Sequence, residues 1–340
     1  MRRLDDKLFE SDACGNRPQT AKKILMSLGS RAALHNGDVN RVNDFLESLV
    51  YNPAAWPSQF GYRMKTELRE MTIDESRFRI KPGTKVRLSD YDPADTRLMP
   101  DKTTAEAAIA KEAERLEELQ GRLYAEHLQS VLVVLQGMDA SGKDGTIKHV
   151  MRGLNPQACT VVSFKVPAGE ELDHDFLWRI ERAMPRKGYI GVFNRSQYED
   201  VLAARVHKLV PAKVWKERYG QINRFEKLKN ELGTTILKFF LHISRDEQKR
   251  RLEERLASPR KNWKFSMADV RERELWNEYQ RAYEDALTKC STKEAPWYIV
   301  PSNHKWYRNW MVARTILEKL ESLDPEYPPP KVDLSKIRIK

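Results

Sequence analysis

The sequence predicts a three-layer α/β fold, in which a mostly parallel sheet of five strands is covered by helices on both faces. Five short apolar segments alternate with stretches long enough to form a helix. Each segment is a nearly continuous apolar run, as expected for parallel strands that are buried on both faces. The segments are VLVVLQ from residue 131, CTVVSFK from 159, GYIGVFN from 188, TILKFFLHI from 235 and WYIVP from 297.

The chain of 340 residues divides into three predicted regions. Residues 1–76 show no sustained hydrophobic period and are predicted to be an N-terminal extension, whose role as an oligomerisation arm, a regulatory segment or a disordered region is left open. Residues 77–332 contain all five predicted strands and form the main domain. Within this domain, a basic segment at about 245–270 is predicted to be a helical lid. Residues 333–340 form a basic C-terminal tail.

A long amphipathic helix is predicted before the first strand, beginning near Thr103. Thr103 and Glu106 have the spacing of a capping box, in which each side chain accepts from a backbone N–H at the start of a helix. Apolar residues then recur at steps of three or four, which is the period of one helix face. These residues are Ile109, Ala113, Leu116, Leu119 and Leu123.

Composition limits the classes of partner and location. Sixty Lys and Arg residues against forty-nine Asp and Glu leave a formal charge of +11, which indicates an anionic partner such as nucleic acid, a membrane surface or a phosphate-rich small molecule. The three cysteines lie far apart and favour neither a disulfide framework nor a zinc ribbon. Without a signal peptide or an apolar run of the roughly 20 residues that a bilayer crossing needs, a cytoplasmic protein is expected.

The stretch VLVVLQGMDASGKDGTIKHV, residues 131–150, joins the first predicted strand to a glycine-rich loop. Gly137 to Lys143 fits the phosphate-loop (Walker A) pattern Gly-x-x-x-x-Gly-Lys, and it lies between a strand and a helix, as the motif requires. Backbone N–H groups, the helix dipole and the Lys143 charge would together bind phosphate, whereas a ligand-free glycine turn is the alternative. Besides Lys143, the predicted phosphate-binding residues of the loop are Gly137, Met138, Ala140, Ser141, Gly142 and Gly145.

Two carboxylates, Asp139 and Asp144, stand inside this predicted anion-binding loop. They would repel phosphate, because like charges ~4 Å apart cost about 4 kcal/mol even at an effective dielectric constant near 20. A divalent cation removes the conflict, so the sequence predicts a Mg²⁺ site, with Mn²⁺ as a substitute, held by Asp139 and Asp144. Asp144 takes the position of the usual metal-binding Ser or Thr, and helix capping is its alternative or additional role.

The end of the third predicted strand should complete the site. Phosphate-loop enzymes usually carry a metal-binding Asp here, but GYIGVFNRSQYED ends its strand at Asn194. Because Asn is neutral, we expect the two loop carboxylates to hold the metal, while Arg195 reaches phosphate oxygens. Asn194, Tyr198 and Glu199 are the predicted residues on the nucleotide side, with a solvated helix face as the alternative for Glu199.

Further cations are predicted to bind phosphate. Lys148 and Arg152 lie four residues apart on the predicted helix after the loop, and Lys165 ends the second predicted strand at the edge where such sheets bind ligands. Arg179 opens the following helix, and the predicted lid contributes three more cations. An exposed lid helix whose cations pair with its own carboxylates is the alternative. The lid candidates are Arg251, Arg255 and Lys264.

An ordered set of motifs resembles the second family of polyphosphate kinases, phosphate-loop enzymes that move a phosphoryl group between inorganic polyphosphate and nucleotides. The motifs are GMDASGKDGTIKHVM, HDFLWRI, FNRSQYEDVL, KFFLHISRDEQKRRLEERL, WKFS and APWYIVP. The likeness runs from Phe78 to Val332, roughly three quarters of the chain, and leaves the N-terminal extension unmatched. The FNRS-x-YEDV motif resembles the branch that phosphorylates AMP as well as ADP, since the ADP-only branch tends to have Asp at the Asn194 position.

The resemblance implies a thymidylate-kinase-like P-loop kinase fold with a helical lid. It implies that Asp139, Lys143, Asp144 and Arg195 are catalytic, and that Arg251 and Arg255 contact the substrate from the lid. The activity it implies is Mg²⁺-dependent transfer of the terminal phosphoryl group of polyphosphate to AMP and ADP, giving ADP and ATP.

Partners and alternatives follow from this reading. Guanine nucleotides are possible further acceptors, a homo-oligomer is expected, and neither nucleic acid nor a membrane is expected as a partner. One alternative is an ATP-dependent nucleotide or small-molecule kinase of the same fold. The other is a basic nucleic-acid-binding protein, which would leave Asp139 and Asp144 without a role.

Overall fold

The computed structural model describes residues 78–339, and the side chain of Lys264 is not among the groups it describes. The predicted N-terminal extension, residues 1–76, therefore lies outside the described residues. The strands are β1 Ser130–Gln136, β2 Cys159–Ser163, β3 Ile190–Asn194, β4 Thr234–His242 and β5 Trp297–Pro301. The helices are α1 Lys102–Glu126, α2 Lys143–Val150, α3 Trp178–Ala183, α4 Ala203–Val206, α5 Ala212–Glu231, α6 Arg245–Ala257, α7 Met267–Glu274, α8 Trp276–Cys290 and α9 Lys305–Leu323.

The five strands form one parallel sheet in the order β2-β3-β1-β4-β5, which confirms the predicted fold class. β1 lies at the centre, where Leu132 is opposite Gly191 of β3 and Ile236 of β4. Every residue of β1 is buried, as its continuous apolar run predicts. Because all the strands are parallel, their carboxyl ends share one edge of the sheet, and the loop after β1 lies at that edge.

Helices cover both faces of the sheet. On one face, α9 packs against α1 and α2, and on the other face α5 packs against β4 and α8. Leu116, Leu119 and Leu123 of α1 are buried at the predicted spacing. Among residues 78–339, no helix has the length and apolar character that a membrane crossing requires.

The predicted capping box at the start of α1 is wrong. The helix begins at Lys102, and Asp101 is its N-cap, with its Oδ1 accepting a 2.8 Å hydrogen bond from the backbone N–H of Thr104. Asp is among the strongest N-cap residues, and the backbone of Asp101 is extended as a cap requires. Thr103 therefore lies within the first turn of α1.

The segment that precedes α1 runs along the open edge of β5. The backbone N–H of Ile80 donates to Trp297 O, and that of Ile299 donates to Phe78 O, both at 2.9 Å. Phe78 and Ile80 are buried in the core. The segment thus covers a strand edge that would otherwise present unpaired backbone groups.

Candidate active site

A cleft of about 590 Å³ opens at the carboxyl edge of the sheet. Its walls are the loop after β1, the ends of β2 and β3, helix α6 with the turn that follows it, and the start of α9. The four residues predicted to be catalytic all line it, which places the sequence motifs in one site. The lining residues are Asp139, Ala140, Gly142, Lys143, Asp144, Gly145, Ser163, Phe164, Lys165, Asn194, Arg195, Arg251, Glu254, Arg255, Lys261, Lys305 and Arg308.

The loop after β1 turns sharply from the sheet into α2. Gly137 has a φ of 152°, and a Cβ atom there would lie 2.7 Å from the carbonyl oxygen of Leu241 on β4. Only glycine fits such a close approach to a neighbouring strand. The N–H groups of the first turn of α2 have no intrahelical acceptor, and the helix dipole adds positive potential at the same place. The loop therefore has the donors and the potential that an anion requires.

Lys143 folds back over the loop. Its buried Nζ donates to Gly137 O at 2.7 Å and to Met138 O at 3.4 Å. Burial, together with repulsion from Arg195, lowers the pKa of Lys143 to about 8, although the charge of Asp139 opposes this shift. Near neutral pH the ammonium group remains mostly protonated, so it supplies positive charge inside the loop.

The two loop carboxylates are held by residues at the end of β3. Nη2 of Arg195 donates to Asp139 Oδ1 at 2.7 Å, and Nδ2 of Asn194 donates to Asp144 Oδ1 at 2.8 Å. Nη1 of Arg195 also donates to Glu199 Oε2 at 3.2 Å. Burial lowers the pKa of Arg195, but the charges of Glu199 and Asp139 raise it, and the net shift is upward. Arg195 therefore stays charged between Asp139 and Glu199.

Asp139 and Asp144 are the loop side chains that could hold a magnesium ion. No group of three or more His, Cys, Asp or Glu side chains suited to a metal occurs within residues 78–339. Mg²⁺ does not need such a group, because it commonly binds one or two carboxylates and completes its octahedron with phosphate oxygens and water. Arg195 and Asn194 orient the two carboxylates, as outer partners of metal ligands usually do.

Tyr198 does not face the cleft, so its predicted place on the nucleotide side is wrong. Its side chain is fully buried, and its hydroxyl donates to Glu226 Oε1 at 2.8 Å. Lys238, inside β4, donates from Nζ to Glu226 Oε2 at 2.5 Å and to the Tyr198 hydroxyl at 2.8 Å. The buried ion pair of Lys238 and Glu226 thus holds the Tyr198 hydroxyl in the core. Glu199, one residue later, is not among the residues that line the cleft, and its Oε2 accepts a 3.2 Å hydrogen bond from Nη1 of Arg195.

Three predicted phosphate-binding cations are not among the residues that line the cleft. Lys148 is exposed on α2, and Arg152 lies beyond the end of that helix, in a turn where Gly153 has a φ of 98°. Their predicted common helix face is therefore wrong. Arg179 is buried and donates from Nη1 to Lys165 O at 2.7 Å, so it supports the segment after β2 instead. Lys165, two residues past the end of β2, does line the cleft.

The predicted lid comprises α6, a 3₁₀ turn at Asn262–Lys264 and α7. Arg251 of α6 is buried and donates from Nη1 to Ala140 O at 3.0 Å and to Ser141 O at 2.9 Å. It therefore holds the backbone of the phosphate loop, in addition to lining the cleft. Arg255 also lines the cleft and forms a 3.0 Å ion pair with Asp269. The side chain of Lys264 lies outside the described groups.

Two cations of the cleft, Lys305 and Arg308, were not predicted from the sequence, and a third, Lys261, lies in the predicted basic lid segment but was not named as a phosphate-binding residue. Lys305 and Arg308 lie in the first turn of α9, which leaves the last strand of the sheet. Since the carboxyl ends of parallel strands bind ligands, the basic start of the helix after WYIVP was a usable signal. Burial lowers the pKa of Lys305, although the negative charge of Glu254, 3.7 Å from Nζ of Lys305, opposes this shift.

The chain matches one protein family and is similar to several known proteins. A model of the family described as Polyphosphate kinase 2 (PPK2) matches residues 99–328. An AMP/ADP-polyphosphate phosphotransferase of Meiothermus ruber is 51% identical over 265 residues, which cover 78% of this chain and 99% of that protein. An ADP-polyphosphate phosphotransferase of Rhodopseudomonas palustris is 44% identical over 270 residues, 76% of this chain and 93% of that protein. The crystal structure of polyphosphate kinase 2 from Arthrobacter aurescens TC1 superposes with a TM-score of 0.74 and 43% identity, over 76% of this chain and 93% of that chain.

Proposed function

This chain belongs to the polyphosphate kinase 2 family, and from that premise we propose that it transfers the terminal phosphoryl group of inorganic polyphosphate to AMP and ADP. The products are ADP and ATP. The observation that carries the proposal is the cleft in which Lys143 and Arg195 stand beside two carboxylates in a phosphate loop. The similar protein of Meiothermus ruber is named for both acceptors, AMP and ADP, which supports the inclusion of AMP.

The proposed reaction requires no general base. A phosphate oxygen of AMP or ADP attacks the terminal phosphorus of polyphosphate, and the bond from that phosphorus to its bridging oxygen breaks. The electron pair of the broken bond stays on the shortened polyphosphate. Because the attacking oxygen is already anionic, no proton has to be removed, and catalysis depends on position and charge. Lys143 and Arg195 supply positive charge where negative charge accumulates.

Asp139 and Asp144 would hold Mg²⁺, with Mn²⁺ as a substitute. A bound ion would neutralise part of the charge on two polyanions and orient their oxygens. The contribution of the protein is to fix both carboxylates before substrate arrives, through Arg195 and Asn194. Metal binding would explain why two acidic side chains lie inside an anion-binding loop.

The cations around the cleft favour a donor that carries many phosphates. Arg255, Lys261 and Lys305 extend positive charge from the phosphate loop along α6 and the start of α9. A chain of phosphates can follow such a surface without any contact to a base. Guanine nucleotides as acceptors and a homo-oligomeric state remain predictions.

Nucleotide chromatography tests the proposal. The purified chain is incubated with Mg²⁺ and AMP, in parallel with polyphosphate and with ATP as the donor, beside an Asp144→Asn variant purified in the same way. We expect ADP and ATP to appear with polyphosphate and to be lost in the variant. Reaction with ATP alone would overturn the polyphosphate assignment and would indicate adenylate-kinase chemistry on the same fold.

A further inference from the structure

Arg308 is buried beside the phosphate loop, and within residues 78–339 none of its hydrogen-bond acceptors is a carboxylate. It lies in the first turn of α9 and is only 2% exposed. Nη1 donates to Ser141 O at 3.1 Å, and Nη2 donates to Oδ1 of Asn309 at 2.8 Å. Both acceptors are neutral, whereas a buried guanidinium group usually needs a negative partner. Burial and the neighbouring Arg251 lower the pKa of Arg308 to about 9, in keeping with an uncompensated positive charge.

The guanidinium group lies directly against two glycines of the loop. A Cβ atom on Gly142 would lie 1.9 Å from Nη1 of Arg308, and a Cβ atom on Gly145 would lie 3.3 Å from Nη2. The space that a side chain would occupy is therefore taken by Arg308. The φ of 106° at Gly142 adds a second requirement for glycine at that position.

The hydrogen bond to Ser141 O determines the direction of the next backbone N–H. In a trans peptide, the C=O and N–H bonds point in opposite directions. Arg251 and Arg308 both donate to Ser141 O, at 2.9 Å and 3.1 Å. The N–H of Gly142 must therefore point away from both guanidinium groups, and Gly142 itself lines the cleft. Two charged donors on the carbonyl also polarise that N–H and make it a better donor.

We propose that Arg308 is a positioning residue for the phosphate chain: it holds the Ser141–Gly142 peptide with its N–H towards the cleft, and it places positive charge behind the loop. The proposal rests on the proposed function for the identity of the anion. It assigns Arg308 no direct contact with the reacting atoms. Its effect should therefore appear in the binding of condensed phosphate, with or without a nucleotide.

The test compares Arg308→Ala and Arg308→Lys with Arg314→Ala. Arg314 lies on the same helix but pairs with Glu112 and Glu318, away from the cleft, and serves as the matched control. The first readout is the rise in melting temperature that tripolyphosphate causes without nucleotide. The second is the separate measurement of kcat and of KM for polyphosphate. The third is rescue of Arg308→Ala by millimolar guanidinium chloride, which can enter the vacated space.

We expect Arg308→Ala to raise KM for polyphosphate about 10-fold, the effect of one lost charge-assisted hydrogen bond, and to lose most of the tripolyphosphate shift. Guanidinium should restore the KM and the tripolyphosphate shift in this variant alone. A general loss of structure would not be reversed by filling the space left by one side chain. Arg308→Lys keeps the charge but not the planar donor, so its KM should rise less. Arg314→Ala should match the wild type in both readouts.

Wild-type KM and wild-type tripolyphosphate shifts in either Arg308 variant would overturn the inference. If Arg308→Ala does not fold, Arg308→Lys alone decides it by the same readouts. A wild-type protein that ignores polyphosphate as donor would overturn the proposed function instead. In that case the binding of tripolyphosphate would still decide the role of Arg308.

Discussion

Asn194 donates a 2.8 Å hydrogen bond to the carboxylate of Asp144, and thereby joins the end of β3 to the first turn of α2. The two residues are fifty positions apart in the sequence. Because the Asn194 amide is neutral, it holds the Asp144 carboxylate by a hydrogen bond without adding a second negative charge beside it. The contact would thus set how much negative charge surrounds a metal ion at the proposed site of Asp139 and Asp144.

Asn194→Asp should make the protein more dependent on divalent cations. A third carboxylate beside Asp139 and Asp144 adds repulsion, which we expect to lower the melting temperature without metal by about 2–4 °C, or roughly 1 kcal/mol. Added Mg²⁺ should then raise the melting temperature more than in the wild type. Asn194→Ala, which removes the hydrogen bond without adding charge, is the control. Equal Mg²⁺ responses in all three proteins would contradict this prediction.

Asp144→Asn should reduce kcat by about 100-fold or more, because the proposed metal ligand and its charge are lost while the size of the side chain is kept. Steady-state rates at increasing Mg²⁺ concentration measure the effect, and the variant should need more Mg²⁺ for half of its maximal rate. Asp246→Asn is the matched control, since Asp246 is an exposed acidic residue in the first turn of α6. A similar loss in both variants would show that the effect is not specific to the loop.

Lys238→Met should lower the free energy of unfolding by about 3–5 kcal/mol, because Glu226 would be left buried without its cation. Both side chains are fully buried, 2.5 Å apart. Unfolding in urea, followed by circular dichroism, measures the loss. The double variant Lys238→Met with Glu226→Leu should recover most of the stability, since no buried charge remains. If the single variant stays within about 1 kcal/mol of the wild type, the ion pair does not carry the stability assigned to it.

His242 should make the protein less stable in mild acid. It is buried at the end of β4, and burial lowers its pKa from 6.5 to about 4, against the opposing effect of the Tyr91 and Leu88 carbonyls. The unfolded chain therefore binds a proton at pH values where the folded chain does not. The stability that neutral His242 gives to the folded chain is fully present above pH 6.5. The free energy of unfolding should then fall by about 3 kcal/mol as the pH drops from 6.5 through 4.

Melting temperatures between pH 7 and pH 4 provide the measurement for His242. The variant His242→Gln should lose less stability over this range than the wild type does, whatever its stability at pH 7. His149→Gln removes an exposed imidazole and tests whether the loss of any histidine has the same effect. Parallel pH profiles for the wild type and His242→Gln would exclude the proposed role of His242.

The strands could be predicted from the sequence because each is a local apolar run. The predicted start of β1 at residue 131 differs by one position from its observed start at Ser130. Asp139, Lys143 and Asp144 were predicted from a pattern that is also local, a glycine-rich loop between a strand and a helix, and the structure brings the three residues together in one cleft. Local patterns were therefore enough for the strands and the loop, but not for helix boundaries, since the cap of α1 is Asp101 and α2 ends before Arg152.

The rest of the site depends on contacts between distant parts of the chain. Arg308 meets Ser141 across 167 positions, and no local pattern marks either residue as the partner of the other. Tyr198 lies in a polar motif after β3, yet its position is set by Lys238 of β4. One signal for that contact was present, since a lysine inside the apolar run TILKFFLHI requires a buried partner.

The central position of β1 also limits when the phosphate loop can fold during synthesis of the chain. Its hydrogen-bonding neighbours are β3 and β4, and the hydroxyls of Ser130 and Thr234 meet at 3.0 Å although they are 104 positions apart. Pairing across such long separations is slow to form, and domains emerge from the ribosome from the N-terminal end. The phosphate loop, backed by Leu241 of β4, therefore cannot take its final shape until β4 has left the ribosomal tunnel. A nascent chain that stalls earlier would display the complete Gly137–Lys143 segment without the loop shape that Leu241 supports.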